Sequence, residues 1–368
     1  MRTAVVILNW NTKGFLRSFL PPLLRSLGEE AEVIVADSAS TDGSMDMMSE
    51  EFPSVRTIPL DANYGFTGGY NRALAKVEAD YYVLINSDIL VDDHWLDPLV
   101  AWMETHPECG ICGPKLHALV KDAKGRYVKT TRFEYAGAAG GYLDRFGFPF
   151  CRGRVMKRVC EDEGQYDTPA EALWCTGACL MVRSSVWKAL GGLDDRFFAH
   201  MEEIDLCWRA RLAGWKVTVV PQSTVWHLGG GTLAPDSPWK LELNYRNNLL
   251  LLENNLASSL QAVGIPGEKA ARNAARKISF RRFIDNCTRF AYACTGKREY
   301  AAAVKKAHEG WKELRRLKAP AATPAPGYPG TDSPAVAPAG LARVNMVPNA
   351  LLRGKGIFKY LDNKLFKQ

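Results

Sequence analysis

Four short apolar runs, separated by segments of helical periodicity, fill the first 85 residues of this 368-residue chain. The runs lie at residues 3–9, 32–37, 55–59 and 81–85, and three of them are almost uninterrupted. A continuously apolar, β-branched run is typical of a strand buried on both faces. Strands that alternate with helices indicate a largely parallel sheet with helices packed against it. The pattern therefore predicts an α/β fold.

Further elements follow from the same periodicities. Apolar residues at helical spacing predict a helix over residues 15–27, which Pro21 and Pro22 are expected to interrupt. Residues 116–170 mix glycine with aromatic and basic residues without a period, which favours loops or short antiparallel strands lying over the sheet. Helical patterns and short strands then alternate up to residue 256, and residues 268–318 are predicted to be helical.

Polar side chains follow the apolar runs directly. Asn9 and Asn11 end the first run, Asp37 ends the second, and Asn86, Ser87 and Asp88 end the fourth. Ligands of open α/β sheets bind beyond the carboxyl ends of the strands, and a carboxylate buried there is costly unless a partner pairs with it. The chain has neither a G-x-G-x-x-G fingerprint nor a Walker A sequence. Oxygen-bound Mg²⁺ or Mn²⁺ at Asp88 is therefore the expected means of holding phosphates.

Acidic residues cluster again at Glu202, Glu203 and Asp205. Repulsion between neighbouring carboxylates raises a pKa towards the range of a general base, whereas acids at a helix start are also favoured by the helix dipole alone. The spacing leaves both interpretations open. His227 precedes three glycines, which indicates a loop that approaches something closely. Trp174 is either a wall for a sugar ring or a core residue.

In this order, the motifs resemble a family-2 glycosyltransferase of the GT-A fold, and bacterial rhamnosyltransferase-like members in particular. The resemblance covers about residues 3–256 and rests on the strand-end motifs, on the segments 37–44, 63–71, 176–178 and 191–198, on the acidic cluster and on His227. It implies a GT-A type, mostly parallel sheet flanked by helices, with a C-terminal helical extension.

The resemblance also implies roles for single residues. Asp88 would bind the metal with His227, and Glu203 would be the catalytic base, with Glu202 as the alternative because many relatives have Glu-Asp at these positions. The nucleotide and donor site would comprise Asn9, Asn11, Asp37, Asn63, Gly69, Asn71, Asn86 and Ser87. The acceptor site would comprise Trp174, Gly177 and Asp205.

These roles imply an inverting sugar transfer from a nucleoside-diphosphate donor, with dTDP-rhamnose favoured, to a hydroxyl of a saccharide or lipid-linked glycan during cell-surface polysaccharide synthesis. A nucleotidyltransferase and a non-catalytic sugar-nucleotide-binding module are the alternatives. The former is expected to carry a basic, glycine-rich phosphate loop after the first strand, where this chain has Asn9 to Thr12.

The net charge of +7 is unevenly distributed, with −7 over residues 1–265, +10 over 266–318 and +4 over 319–368. We expect a catalytic domain over 1–265, a basic helical extension over 266–318, a Pro/Ala-rich linker over 319–340 and a basic segment over 341–368. The extension is either a helix docked on the catalytic domain or an amphipathic element for an anionic membrane. Nucleic acid is not an expected partner, because no nucleic-acid motif accompanies the charge.

The chain also lacks an apolar stretch of the length that spans a bilayer, and its N-terminus passes directly into a strand pattern instead of resembling a signal peptide. We therefore expect a cytoplasmic protein, with a peripheral position at the inner face of the plasma membrane if the basic extension binds lipid.

Overall fold

Strands of the central sheet run directly to the polar residues singled out above. The computed structural model describes residues 2–229, 237–317, 319 and 341–366. In chain order the strands are β1 Thr3–Asn9, β2 Ala31–Ser38, β3 Arg56–Leu60, β4 Tyr81–Ile85, β5 Ile89–Val91, β6 Cys109–Lys121, β7 Tyr127–Phe133, β8 Gly141–Leu143, β9 Pro149–Cys151, β10 Arg154–Val155, β11 Arg158–Val159, β12 Ala170–Glu171, β13 Cys179–Arg183 and β14 Lys216–His227.

One ten-stranded mixed sheet forms the centre of the molecule, in the order β12-β14-β6-β13-β4-β1-β2-β3, with β5 paired to β14 and β7 to β6. Strands β3, β2, β1 and β4 are parallel, so their carboxyl ends lie at one edge. Strand β13 joins this group to β6 through antiparallel pairing. The predicted α/β fold with strands flanked by helices is confirmed, and antiparallel pairing dominates its other half.

Alternate residues of the strands contribute to two separate apolar clusters, and helices cover both faces of the sheet. In chain order the helices are α1 Lys13–Arg25, α2 Ser44–Glu51, α3 Gly65–Leu74, α4 Asp97–Thr105, α5 Ser184–Ala189, α6 Glu202–Leu212, α7 Pro238–Ala262, α8 Gly267–Cys294, α9 Arg298–Leu314, α10 Met346–Arg353 and α11 Ile357–Leu361.

The expected interruption of the first helix is wrong, because α1 continues through Pro21 and Pro22. Phe19, Leu20 and Leu23 are buried on both sides of the two prolines and hold this turn against the core. Their burial offsets the backbone hydrogen bonds that proline cannot donate.

The aperiodic region 116–170 supplies the far ends of β6, the hairpin partner β7 and a small antiparallel sheet in the order β11-β10-β9-β8. This small sheet lies against the main core through Tyr142, Phe150 and Val155, all of which are buried. The interpretation of this region as loops and short antiparallel strands is therefore confirmed.

The C-terminal helices pack against the sheet domain by way of α7, which contacts α6, α8 and α9. The last helices reach back to the small sheet, where the backbone N–H of Met346 donates to Asp144 at 2.9 Å and the Tyr166 hydroxyl donates to Asp362 at 2.7 Å. Apart from residue 319, the predicted linker lies outside the described residues, and the division into domains stays a prediction. Within the described ranges, none of the helices combines the length and apolarity that crossing a bilayer requires.

Candidate active site

Two loops at the carboxyl edge of the parallel strands are joined by side-chain hydrogen bonds. The Asn9 amide donates to Asp37 Oδ1 at 2.6 Å and to Ser40 Oγ at 3.0 Å, and its oxygen accepts from the Thr12 hydroxyl at 2.5 Å. Asp37 Oδ2 accepts from the Ser40 N–H at 2.9 Å. Asn9 is completely buried and Asp37 nearly so, which means that the pair orders the loops after β1 and β2.

Asn11 extends this connection towards the solvent. It adopts a left-handed conformation with φ of 55°, its N–H donates to Ser40 Oγ at 2.9 Å, and its side-chain oxygen accepts from the Thr41 N–H at 2.7 Å. The predicted nucleotide residues Asn9, Asn11 and Asp37 are thus brought together as one rigid wall.

The remaining donor-site candidates lie on α3 and in the turn before it, where Gly69 is buried, Asn71 is half-buried and Asn63 is exposed. Asn63 accepts from the Gly65 N–H at 2.9 Å in a local turn. A Cβ atom at Gly69 would lie 2.7 Å from Leu8, so this glycine allows α3 to approach β1 closely. Asn71 donates to the Leu193 carbonyl at 2.8 Å and accepts from the Leu193 N–H at 2.9 Å. These three residues shape the loops around the crevice, and the side chain of Asn71 is committed to the loop before α6.

Strand β4 delivers Asn86, Ser87 and Asp88 to the same edge, with Ser87 and Asp88 buried. Asp88 Oδ1 lies 3.2 Å from Nε2 of His227, which ends β14. Asn86 Nδ2 is 3.5 Å from the same nitrogen, and its backbone N–H donates to the Ala178 carbonyl at 2.9 Å. The predicted association of Asp88 with His227 is therefore present, although 139 positions separate the two residues.

A second buried carboxylate, Glu134, lies on the other side of the imidazole, with Oε1 3.4 Å from His227 Nδ1. The sequence prediction missed Glu134 because it follows β7 in the aperiodic region, where no pattern marks it. Gly229 has φ of +69°, and a Cβ there would lie 3.2 Å from Glu134 Oε1. The predicted close approach after His227 is thus confirmed for Gly229, whereas Gly230 and Gly231 lie outside the described residues.

The mutual charges of this trio control its ionisation. Burial alone raises the pKa of Asp88, but the His227 charge and hydrogen bond outweigh it and hold that pKa below its usual value. Burial lowers the pKa of His227, whereas Asp88 and Glu134 together raise it to about 10. Without a cation the imidazole is therefore protonated and bridges two carboxylates.

The donor set fits a divalent cation through two protein ligands. Two ligands at adjacent positions of an octahedral Mg²⁺ site lie about 3 Å apart, close to the Asp88–His227 separation of 3.2 Å. Glu134 would then accept a hydrogen bond from the opposite ring nitrogen, as outer carboxylates commonly do for ligating histidines. Across the described ranges no group of three or more His, Cys, Asp and Glu side chains forms a metal site. Further ligands would have to come from substrate phosphates and water.

Glu202 and Glu203, the two candidates for the catalytic base, begin helix α6 directly after a strained loop. Phe198, His200 and Met201 all have positive φ, between 64° and 72°, which is uncommon for residues with side chains. Asn247 of α7 holds this loop through its amide nitrogen, which lies 2.9, 2.8 and 2.7 Å from the carbonyl oxygens of Phe197, Ala199 and His200. The sequence prediction missed Asn247 because its helix lies outside every motif.

The two glutamates occupy different environments. Glu202 is 4% exposed, whereas Glu203 is only partly buried. Burial raises the pKa of Glu203 to about 7, and burial together with the Glu203 charge raises that of Glu202 further. Within the described residues, Oε2 of each glutamate and Nε2 of His200 are buried without a hydrogen-bond partner. Such unpaired buried groups are rare in proteins and concentrate at functional sites.

Gly177 connects the acidic pair with the strand-end site. A Cβ at Gly177 would lie 3.5 Å from Glu203 Cβ and 3.3 Å from the Phe66 ring, while the adjacent Ala178 is bonded to Asn86. Glu203 and Asp88 are thus linked by a short path through Gly177, Ala178 and Asn86. The arrangement places a half-ionised carboxylate beside a site suited to a cation and phosphates.

Two of the acceptor candidates are wrong. Asp205 is completely buried, where it accepts from Arg209 at 2.7 Å, from Asn255 at 2.8 Å and from Asn254 at 3.1 Å. These bonds fasten α6 to α7 and keep the carboxylate away from any acceptor. Trp174 is 2% exposed and packs on Gly141, where a Cβ would lie 1.9 Å from its ring. It is therefore a core residue.

Comparison with known proteins places this geometry in context. The sequence model described as glycosyl transferase family 2 matches residues 4–186. The N-acetylglucosaminyl-diphospho-decaprenol L-rhamnosyltransferase of Mycobacterium tuberculosis H37Rv is 27% identical over 259 residues, which are 67% of this chain and 83% of that protein. The rhamnosyltransferase WbbL of Escherichia coli K12 is 27% identical over 165 residues, which are 43% of this chain and 58% of that protein.

A solved structure shares the fold. The crystal structure of GalNAc-T7 with UDP, GalNAc and Mn2+ superimposes with a TM-score of 0.53 at 16% identity, covering 69% of this chain and 48% of that one. The predicted GT-A type fold is thereby confirmed.

Proposed function

This chain is a family-2 glycosyltransferase, and we propose that it moves a sugar, with inversion, from a nucleoside-diphosphate donor to a hydroxyl of a lipid-linked glycan at the cytoplasmic face of the membrane. The names of the relatives support rhamnose as the sugar, N-acetylglucosamine on a lipid diphosphate as the acceptor, and cell-surface polysaccharide as the product, and we propose dTDP-rhamnose as the donor. Membership of this family favours sugar transfer over the nucleotidyl transfer that the sequence left open.

One observation carries the proposal: the Asp88–His227 pair and Glu203 are joined by a path of three residues at the carboxyl edge of the sheet. In this mechanism the exposed Asn11, with the two loops that Asn9 and Asp37 order from beneath, holds the nucleoside. Asp88 and His227 hold Mg²⁺ or Mn²⁺, and Mn2+ is present in the structure that shares the fold. When bound, the cation neutralises charge on the departing diphosphate.

Glu203 accepts the proton of the acceptor hydroxyl while that oxygen attacks the anomeric carbon from the face opposite the diphosphate. Its pKa of about 7 leaves it substantially ionised at neutral pH and still basic enough to take the proton. Gly177 leaves room beside it for the acceptor, because any larger side chain would project between Phe66 and Glu203.

The test is acceptor-dependent release of nucleoside diphosphate. Purified protein with Mn²⁺ is offered dTDP-rhamnose, UDP-sugars and GDP-sugars, each with and without a short-chain N-acetylglucosaminyl diphospho-lipid. We expect release only with both substrates, a product heavier by one sugar, an inverted anomeric configuration by NMR, and loss of transfer in Asp88→Asn. Pyrophosphate release, or a failure of every donor to be transferred, would contradict the proposal.

A further inference from the structure

Helix α8 buries an ion pair beside the apolar residues Ala270, Ala274 and Ile278, and it exposes three phenylalanines on its other side. Its buried side includes the ion pair of Arg281 and Asp285, which are 5% and 1% exposed and 2.9 Å apart. Arg281 also donates to Asn248 of α7 at 2.6 Å. The helix is therefore docked on the protein, as one of the two interpretations of the basic extension predicted.

The outward side of α8 carries the aromatic residues. Phe280, Phe283 and Phe290 are 48%, 63% and 71% exposed, and Cys287 between them is exposed as well. These four residues, which we call the aromatic stripe, recur every three or four positions and so form one line along the helix. Phe280 also contacts Phe146, with ring centroids 5.3 Å apart. Three exposed phenylalanines in a row are unusual on a monomeric surface and mark an interaction site.

An open groove continues the stripe between α8 and α9. Its volume is about 360 Å³, and its lining consists of Phe290, Ala293, Ala301 and Ala302 with Arg289 and Lys305. An apolar floor between two cations matches a hydrocarbon chain attached to an anionic head group.

Basic residues occur along the same helix, and four of them lie in its N-terminal half. Seven Lys and Arg residues of α8 stand against two acids, and the buried Arg281–Asp285 pair removes one of each, which leaves six against one. Lys269, Arg272 and Arg276 are exposed. Such a cationic surface beside aromatic residues is complementary to a bilayer with anionic lipids, where each exposed cation near the surface adds attraction.

The surface also lies near the catalytic loop. Arg281, between the first two phenylalanines of the stripe, bonds to Asn248, and the neighbouring Asn247 holds the loop that precedes Glu202. A membrane that contacts α8 would therefore be connected through α8 and α7 with the loop at which a lipid-linked acceptor has to arrive.

We propose that the aromatic stripe, the adjoining groove and Lys269, Arg272 and Arg276 form a docking surface for an anionic phospholipid bilayer. The biological meaning of this inference rests on the proposed lipid-linked acceptor. Lipid binding itself can be measured without sugar transfer, so the two proposals fail separately.

The experiment is flotation of the full chain with vesicles of phosphatidylcholine alone or mixed in equal parts with phosphatidylglycerol. We expect binding to the mixed vesicles only, and weakening as salt is raised. The double variant Phe283→Ser/Phe290→Ser should lower the apparent affinity at least about tenfold because two exposed rings no longer enter the lipid. Arg272→Gln/Arg276→Gln should weaken binding and reduce its salt dependence. Sugar transfer to a water-soluble acceptor should stay unchanged in both.

Val120→Ser/Val128→Ser is the matched control, since these valines are 43% and 41% exposed on the β6–β7 hairpin among basic residues. It should bind vesicles like the parent chain. The proposal would be overturned if this control lost as much binding as the phenylalanine variant, or if the parent chain did not bind vesicles. It would also be overturned if the chain bound heparin equally well with and without the phenylalanine substitutions, or if those substitutions dissociated a dimer.

Discussion

Glu202 and Glu203 are adjacent in the chain, but their side chains differ in burial and in pKa. Glu202 is buried and its pKa lies far above that of an exposed glutamate, whereas Glu203 is partly buried with a pKa of about 7. Glu203 is also the less deeply buried of the two and lies beside Gly177, so an acceptor hydroxyl can reach it more easily, which makes Glu203 the better candidate for the base.

The pH dependence of transfer follows from this difference. Below pH 7 Glu203 is protonated and cannot accept a proton, so kcat/KM should rise with pH and level off above an apparent pKa near 7. Glu203→Gln should lower kcat by about 10²–10⁴-fold and abolish this limb. Glu202→Gln mimics the neutral acid and should keep most of the activity, so it serves as the control. A Glu203→Gln protein with full turnover would exclude Glu203 as the base.

The same shift affects stability with a definite sign. Because the folded state raises the pKa of Glu203 above the ordinary value of 4.5, folding becomes less favourable as pH rises from that value to about 7. Glu203→Gln removes this cost and should unfold at a higher urea concentration than the parent chain at pH 8, with no such gain at pH 4. A parent chain that remained the more stable at pH 8 would contradict the assigned shift.

At the scale of elements, helix α7 determines where the catalytic loop stands. Asn247 and Asn255 are completely buried in it, and they reach the strained loop and Asp205 respectively. Three non-glycine residues with positive φ cost energy that the surrounding contacts have to offset. The helix therefore acts as a scaffold that positions Glu203 without touching substrate.

Asn247→Ala tests this role. It removes the amide that lies against three loop carbonyls, of which the Phe197 carbonyl keeps a bond from Arg246, and it should lower stability by about 1–3 kcal/mol. Because a displaced base is poorly aligned, kcat should fall by about ten- to a hundredfold while the KM for the donor changes little. Asn244, whose amide bonds the Lys240 carbonyl of its own helix, provides the control Asn244→Ala. Steady-state kinetics and urea denaturation measure both, and equal effects of the two substitutions would refute the positioning role.

Over the whole molecule, contacts of the buried Arg281 attach the C-terminal helices to Asn248 of α7 and to Phe148. Arg281 and Asp285 are joined by His308 of α9, which lies 3.4 Å from Asp285. Arg281 also stacks on Phe148, 3.8 Å from the ring centroid. Such contacts indicate that α8 and α9 unfold together with the domain.

Arg281→Ala should therefore destabilise the entire chain. Removing one partner of a buried pair leaves an uncompensated charge and costs about 3–5 kcal/mol. The exposed Arg272, which pairs with Glu268 at 3.6 Å, should cost less than about 1 kcal/mol when changed to Ala. Both values come from chemical denaturation followed by far-UV circular dichroism. A separate early transition for the C-terminal helices, with the main transition unchanged, would contradict this coupling.

The local sequence pattern was sufficient to predict the positions of the strands and of most helices. The apolar runs at 3–9 and 81–85 form strands with the predicted bounds, because a run of that composition is stable only inside a sheet. The pattern failed at Pro21 and Pro22, where burial outweighed a local preference. In region 116–170 it predicted short antiparallel strands but not their register, which depends on contacts distant in the chain.

The sequence by itself determined that Asn9, Asp37 and Asp88 end strands at one edge of a sheet and that acids begin a helix near residue 202, since both follow from periodicity. Only the tertiary structure decided that Glu134 backs His227, that Asn247 holds the catalytic loop, and that Asp205 and Trp174 are internal. It also turned Arg281 inward and the phenylalanines of α8 outward. Periodicity marks which residues share a face, whereas the packing of distant elements decides which face is buried.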